Sequence, residues 1–138
     1  MRILGIDYGD SRVGTAVSDP LGLTAQGIGT IKNKGMDRLI GELSLLIEKY
    51  KPEKIVIGLP KNMDGTVGFR GEESYKLKER LQTVYSGEIV LWDERLSTVS
   101  AAEFLNETNT RGKKRKNVID TVAAEIILES YMMSLKNK

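Results

Sequence analysis

The chain has no cysteine and no histidine among its 138 residues. Without thiols it forms no disulfide, offers no thiolate to zinc and carries no cysteine nucleophile. Without imidazole there is no Ser-His-Asp triad and no histidine metal ligand. Any catalysis must therefore run on carboxylates, lysine, tyrosine, hydroxyls or a bound hard metal. The three prolines are scattered, and no low-complexity linker or internal repeat divides the chain. No apolar run approaches the ~20 residues that would span a bilayer. The N-terminus opens directly on a strand-like run rather than a signal peptide, so the expected location is cytoplasmic and no membrane partner is expected. The length suits one domain, residues 1–138, able to bury roughly two thirds of the surface of its unfolded chain.

Charge is nearly balanced overall, with 21 Lys and Arg against 19 Asp and Glu for a net +2. Its distribution is uneven. Five of the cations, Arg111, Lys113, Lys114, Arg115 and Lys116, fall within six residues, and without them 16 cations face 19 acids, a net −3. A slightly acidic body thus carries one concentrated basic segment. Such a segment neutralises phosphates without reading sequence. Flanked by Asn109 and Gly112, it reads as a loop; a plain solvated charge run is the alternative.

Hydropathy patterning predicts the order β-β-β-α-β-α-β-α-α. Residues 2–7 and 13–18 read as a hairpin around the turn-rich DYGDSR, and a third strand lies in 25–31. Leu39, Ile40, Leu43, Leu46, Ile47 and Tyr50 then recur at helical spacing, with Asp37 available as N-cap and Pro52 as the stop. KIVIGLP (54–60) is a short buried strand feeding a loop, and a helix over 70–85 presents Leu77, Leu81 and Val84. EIVLW (88–92) is the last strand. A short helix from about Thr98 to Glu107 and a long one from about Asn117 to Leu135 follow. Three hairpin-like strands followed by βα units imply an α/β fold with a mixed sheet and helices on its faces. GIGTIK (27–32) begins like a dinucleotide fingerprint, but Lys32 stands at the third glycine position.

Three carboxylates sit where chemistry is expected. Asp7 ends the first strand, Glu94 follows the last, and Asp120 shares a helix face with Ala123, Ala124, Ile127 and Tyr131. That face is otherwise apolar, and burying an unpaired carboxylate is costly. Together these acids could hold one or two Mg²⁺ or Mn²⁺ ions, since hard cations prefer carboxylate and water oxygens. Two ions ~3.5–4 Å apart can activate water and stabilise a leaving oxygen in phosphodiester hydrolysis. Each acid also has an ordinary explanation: a turn residue for Asp7, a helix N-terminal acid for Asp120, and a surface partner of Arg95 for Glu94. Around them, Gly9 and Gly14 flank the hairpin turn, and Arg12 could contact phosphate or pair with Asp7 or Asp10. Asn62, Asp64 and Gly65 form a loop that could guide nucleic acid. Arg95 and Thr98 could orient substrate or cap the short helix, while Trp92 reads as core.

Four ordered blocks, DYGDSRVGTAVSD (7–19), GLPKNMDGT (58–66), WDERLST (92–98) and Lys116…Asp120 followed by AAEIIL (123–128), resemble the YqgF family. These are RNase H-like proteins related to the RuvC Holliday-junction resolvases, described as resolvases or as nucleases processing the 5′ end of pre-16S rRNA. The resemblance spans essentially the whole chain. It implies an RNase H-like fold, a five-stranded mixed sheet with its first three strands antiparallel and helices on both faces. It also implies Mg²⁺- or Mn²⁺-dependent cleavage of nucleic acid, either pre-rRNA or branched DNA. Asp7, Glu94 and Asp120 would be the metal-binding catalytic acids. Arg12, Asn62, Arg95, Arg111, Lys113, Lys114, Arg115 and Lys116 would contact nucleic acid. RuvC-type enzymes place their middle acid at the end of the fourth strand, where this chain has Gly58-Leu59-Pro60. Glu94, or its neighbour Asp93, would have to substitute. Two other classes remain open: an actin-like phosphotransferase, which would need a second copy, and a non-catalytic nucleic-acid-binding or ribosome-assembly factor. Monomer and homodimer are equally compatible with the sequence.

Overall fold

Residues 2–61, 64–94 and 112–136 are described by the computed structural model, with the side chains of Arg70, 112–121 and Lys136 outside that description. The expected short helix over Thr98–Glu107 lies outside the described residues. The β-branched and leucine-rich runs form β1 (Ile3–Asp7), β2 (Arg12–Ser18), β3 (Ala25–Lys32), β4 (Lys54–Leu59) and β5 (Glu88–Asp93). The amphipathic segments form α1 (Met36–Tyr50), α2 (Phe69–Leu81) and α3 (Gly112–Lys136). The five strands make one sheet in the order β3-β2-β1-β4-β5. β1 runs antiparallel to β2, as β2 does to β3, whereas β1, β4 and β5 are parallel. This is the mixed sheet expected from sequence.

Strand alternation sorts the apolar residues onto two faces. Leu4, Ile6, Val13, Ile55, Ile57 and Ile89 join Leu39, Ile40 and Leu43 of α1 and Leu77 and Leu81 of α2 in one core. Ile3, Ala16, Ala25 and Val56 join Ala124, Ile127, Leu128, Tyr131 and Met132 of α3 in the other. Helices thus cover both faces. Trp92 packs in the α3 core, edge-on to Tyr131 at 5.5 Å between ring centroids, with Nε1 donating to Ser130 Oγ at 3.1 Å.

Two local expectations are corrected. Asp37 is not the N-cap of α1: Gly35 occupies that position with φ 109 and no side-chain cap. Its positive φ turns the chain one residue before the helix, leaving Asp37 in the first turn, where it forms an ion pair with Arg80 of α2. The basic segment is also not a loop from Gly112 onward. Lys113, Lys114, Arg115 and Lys116 lie in the opening turns of α3, which starts five residues earlier than expected. Lysine and arginine are good helix formers, so a basic run extends a helix readily. Arg111 lies outside the described residues.

On α3, burial raises the Glu125 carboxyl above its ordinary range, helped by the Glu129 charge one turn on and opposed by the Gly27 N–H. Burial raises Glu129 as well. A carboxyl raised in the folded state keeps protons that the unfolded chain has released, so it subtracts stability as pH climbs from the ordinary range through the raised value. Glu125→Gln is therefore expected to raise the urea midpoint at neutral pH. At pH well below the ordinary carboxylate range the gain should vanish; an equal gain at both would exclude this origin.

Candidate active site

The carboxyl ends of parallel strands at a change of strand direction form a natural crevice. β1 sits at that change here, between antiparallel β2 and parallel β4. Its last residue is Asp7, half-buried and level with Gly14 of β2. Alternation places Asp7 on the same face as Ile3 and Gly5, the face covered by α3.

Glu94 reaches this face from the far edge. It follows Asp93, the last residue of β5. Trp92 packs into the α3 core, so alternation turns Asp93 to the opposite face and returns Glu94 to the α3 side. Its carboxylate then folds across β4. A Cβ built on Gly58 would lie 2.5 Å from Glu94 Oε1, 2.9 Å from Glu94 Cγ and 2.6 Å from Ile127 Cδ1. The carboxylate thus occupies the space that any side chain at position 58 would fill. Glu94 Oε1 is shielded from solvent, although the residue as a whole is half-buried; Arg95, its partner in the alternative reading, lies outside the described residues.

Asp120 is placed by the run of α3. Tyr131 meets Lys54 at the start of β4, with Lys54 Nζ donating to the phenol oxygen at 3.2 Å. Ile127 meets Gly58 near the end of the same strand, so α3 runs antiparallel to β4 and β1. Gly5 lies directly beneath α3, and a Cβ there would be 3.0 Å from Leu128 Cβ and 3.2 Å from the Ala124 carbonyl oxygen. From Ala124 back to Asp120 is ~6 Å of helix. From Gly5 on to Asp7 is ~6.6 Å of strand in the same direction. The backbone therefore brings the Asp120 turn level with Asp7, on the helix face whose Ala124, Ile127 and Tyr131 pack on the sheet.

Two hydrogen-bonded residues that sequence patterning did not single out support this end of the sheet. Ser74 of α2 is buried and donates to the Gly58 carbonyl at 3.3 Å, holding the end of β4 from the opposite face. It lies three residues before Leu77 on the apolar side of α2, a position where a serine signals an internal partner. Asn33 Nδ2 donates to the Gly9 carbonyl at 2.8 Å, and its backbone N–H donates to the Ser11 carbonyl. The loop after Asp7 is thereby tied to the end of β3. Gly9 itself is required there, since a Cβ would approach Arg12 O to 2.4 Å. Arg12 is half-buried at the start of β2, beside Lys32.

Asn62, Arg95, Thr98 and Arg111 lie outside the described residues, as do the side chains of Asp120, Lys113, Lys114, Arg115 and Lys116. Among the described residues no three acidic side chains form a metal-holding group. The donors at this end nevertheless fit a hard divalent cation: the acids offer only oxygen, and Gly58 leaves room for a shielded Glu94 carboxylate. No helix among the described residues is long and apolar enough to cross a membrane.

A family model described as RuvX, Holliday junction resolvase, matches residues 1–134. A protein of Clostridium kluyveri named "Putative pre-16S rRNA nuclease" is 50% identical over 132 residues, covering 96% of each chain. One of the same name from Clostridium acetobutylicum is 49% identical over 135 residues, covering 98% of this chain and all of its own. Among solved structures, Thermus thermophilus RuvC superposes with a TM-score of 0.63 over 97% of this chain and 96% of its own, at 11% identity. Fowlpox virus resolvase in complex with Holliday junction DNA does so with 0.59 over 98% and 99%, at 14% identity. These two likenesses are likenesses of fold.

Proposed function

Since the chain belongs to the RuvX family, we propose that it is a metal-dependent nuclease hydrolysing phosphodiesters of structured nucleic acid. Its substrate is pre-16S rRNA, the RNA in the name of its half-identical relatives, cut at the 5′ end. Residues 1–138 act as one nuclease domain in the cytoplasm. The observation that carries this reading is the assembly of Asp7, the Glu94 carboxylate over Gly58, and the Asp120 turn of α3 on one face at one end of the sheet.

Asp7, Glu94 and Asp120 hold one or two Mg²⁺ or Mn²⁺ ions. Bound there, such ions supply the Lewis acidity that phosphodiester hydrolysis requires. The chain does the rest. The three acids fix where the reacting phosphate stands, and Ser74 and Gly58 fix where Glu94 can stand. Arg12, Asn62, Arg95, Arg111 and the cations Lys113, Lys114, Arg115 and Lys116 bind the backbone on either side. Because α3 begins at Gly112, the last four are carried on the same helix as Asp120. Charge that holds phosphate and charge that holds metal are thus delivered by one element.

The test is to map 16S rRNA 5′ ends in cells depleted of this protein. Unprocessed precursor should accumulate, and return to mature ends on re-expression of the parent chain but not of Asp7→Asn. Normal ends throughout would exclude the rRNA substrate. The family description favours a second reading, a resolvase for branched DNA. Paired symmetric cuts in a synthetic four-way junction, with rRNA ends untouched, would select it.

A further inference from the structure

β3 is a free edge of the sheet. Between it and α1 lies an open groove of about 570 Å³ lined by Lys32, Lys34, Arg38, Gly41 and Glu42, among others. Its three cations are exposed, and none of them forms an ion pair with a described residue. Asp37, the acid adjacent to Arg38, is committed to Arg80. Glu42 alone opposes them in the lining, so the groove is positive.

The groove stands at the same end of the sheet as the acids. Lys32 ends β3 level with Arg12, at the start of β2, and β2 pairs with β1 so that Gly14 faces Asp7. Neighbouring strands are ~4.8 Å apart, which puts the end of β3 ~10 Å sideways from β1. Asn33, between Lys32 and Lys34, makes the link rigid. Its side chain donates to Gly9, two residues after Asp7, and its Oδ1 accepts from the Gly35 N–H at 3.2 Å. The two lysines are therefore borne on a backbone fastened to the loop that carries the first acid. The groove lies on the side of the sheet that α1 covers, whereas Asp7 faces α3, so a backbone continuing from the acids reaches these cations by rounding the β3 edge.

We infer that this groove is a phosphodiester-backbone subsite, occupied by the nucleic acid as it passes from the acid cluster around the β3 edge. Lys32, Lys34 and Arg38 contact phosphates there, without reading bases. The inference rests on the nuclease reading above and adds a second, separately placed patch of positive charge to it.

Gly41 supplies a variant that changes the groove without harming the fold. It lies in α1 with nothing within 4 Å of an added Cβ. Glutamate is a better helix former than glycine, so Gly41→Glu should fold at least as stably while placing a negative charge in the groove. Binding is measured by fluorescence anisotropy, in Ca²⁺ across a range of salt, with two probes: a fluorescein-labelled RNA hairpin carrying a single-stranded 5′ extension, and a labelled four-way DNA junction. The parent and the Asp7→Asn, Gly41→Glu and Lys32→Gln/Lys34→Gln/Arg38→Gln proteins are compared. The triple variant should flatten the dependence of log affinity on log salt by ~2–3, near one for each phosphate no longer neutralised. Gly41→Glu should weaken binding with an unchanged or higher melting temperature. The probe that shows the larger loss identifies the nucleic acid seated in the groove. Parent-like affinity and salt slope in both groove variants would overturn the subsite and leave the nuclease reading standing. Failure of the parent itself to bind either probe would overturn both.

Discussion

The Asp7→Asn protein is expected to fold like the parent and to lose Mg²⁺- or Mn²⁺-dependent cleavage. The substitution is isosteric at a half-buried strand end. It removes the charge while keeping the shape, so β1 and its pairing with Gly14 have no reason to change. Loss of a mere outer-shell partner in a metal site costs ~10–100-fold, and loss of a direct ligand should exceed that. Glu94→Gln should behave alike, because its carboxylate occupies the same face. Binding of nucleic acid without metal should survive in both, since the cations proposed to hold the backbone are separate residues. Cleavage at the parental rate by Asp7→Asn would remove the acid cluster from the mechanism. Intact binding with no cleavage even by the parent chain would instead favour a non-catalytic factor.

Gly58→Ala is expected to have the next largest effect, although it adds one methyl group. That carbon would sit 2.5 Å from Glu94 Oε1 and 2.6 Å from Ile127 Cδ1, closer than non-bonded atoms tolerate. Either the Glu94 carboxylate swings away, or α3 rises off the sheet at Ile127. The first moves a carboxylate out of the site. The second changes the spacing between Asp7 and the Asp120 turn. Cleavage should fall about as far as in Glu94→Gln on either route, with an overpacking cost of about 1–3 kcal/mol in denaturant unfolding. Glu94→Ala in the same chain should return part of that stability, because it removes one of the two clashing partners. Additive stabilities, or parental cleavage by Gly58→Ala, would show that Glu94 does not depend on the space above Gly58.

The same glycine shows how far the sequence can be followed. In KIVIGLP it marks the end of a buried strand, and a glycine inside a strand signals that something approaches closely. What approaches it cannot be read from the chain, because Glu94 is 36 residues away and comes from another strand. If Glu94 serves as the middle acid, this contact gives the reason that it can do so from the residue after β5. A carboxylate from the edge can lie over β4 only if β4 has no side chain there. Ser74 and Asn33 are hard to single out for a related reason. Each is an ordinary polar residue whose partner, the Gly58 or Gly9 carbonyl, is brought near by the fold.

The strands and the long helices follow from period alone. Runs such as ILGID and KIVIGL have one buried geometry available, and Leu39, Ile40 and Leu43 can share a core only on a helix. Local boundaries followed it less closely. Gly35 could take a positive φ and displace Asp37 from the cap, and the basic run was as compatible with helix as with loop. Covalent order thus bounds which chemistry is possible: carboxylates, lysine, tyrosine, hydroxyls or a bound hard metal, with no thiol and no imidazole. It also settles the succession of strands and helices and the faces of each, since alternation and period are properties of neighbouring residues. The placement of Asp7, Glu94 and the Asp120 turn toward one face at one end of the sheet is of another kind. It depends on α3 running antiparallel to β1 at the close distance Gly5 permits, and on the empty space above Gly58. Those are distances between segments far apart in the chain, and packing alone sets them.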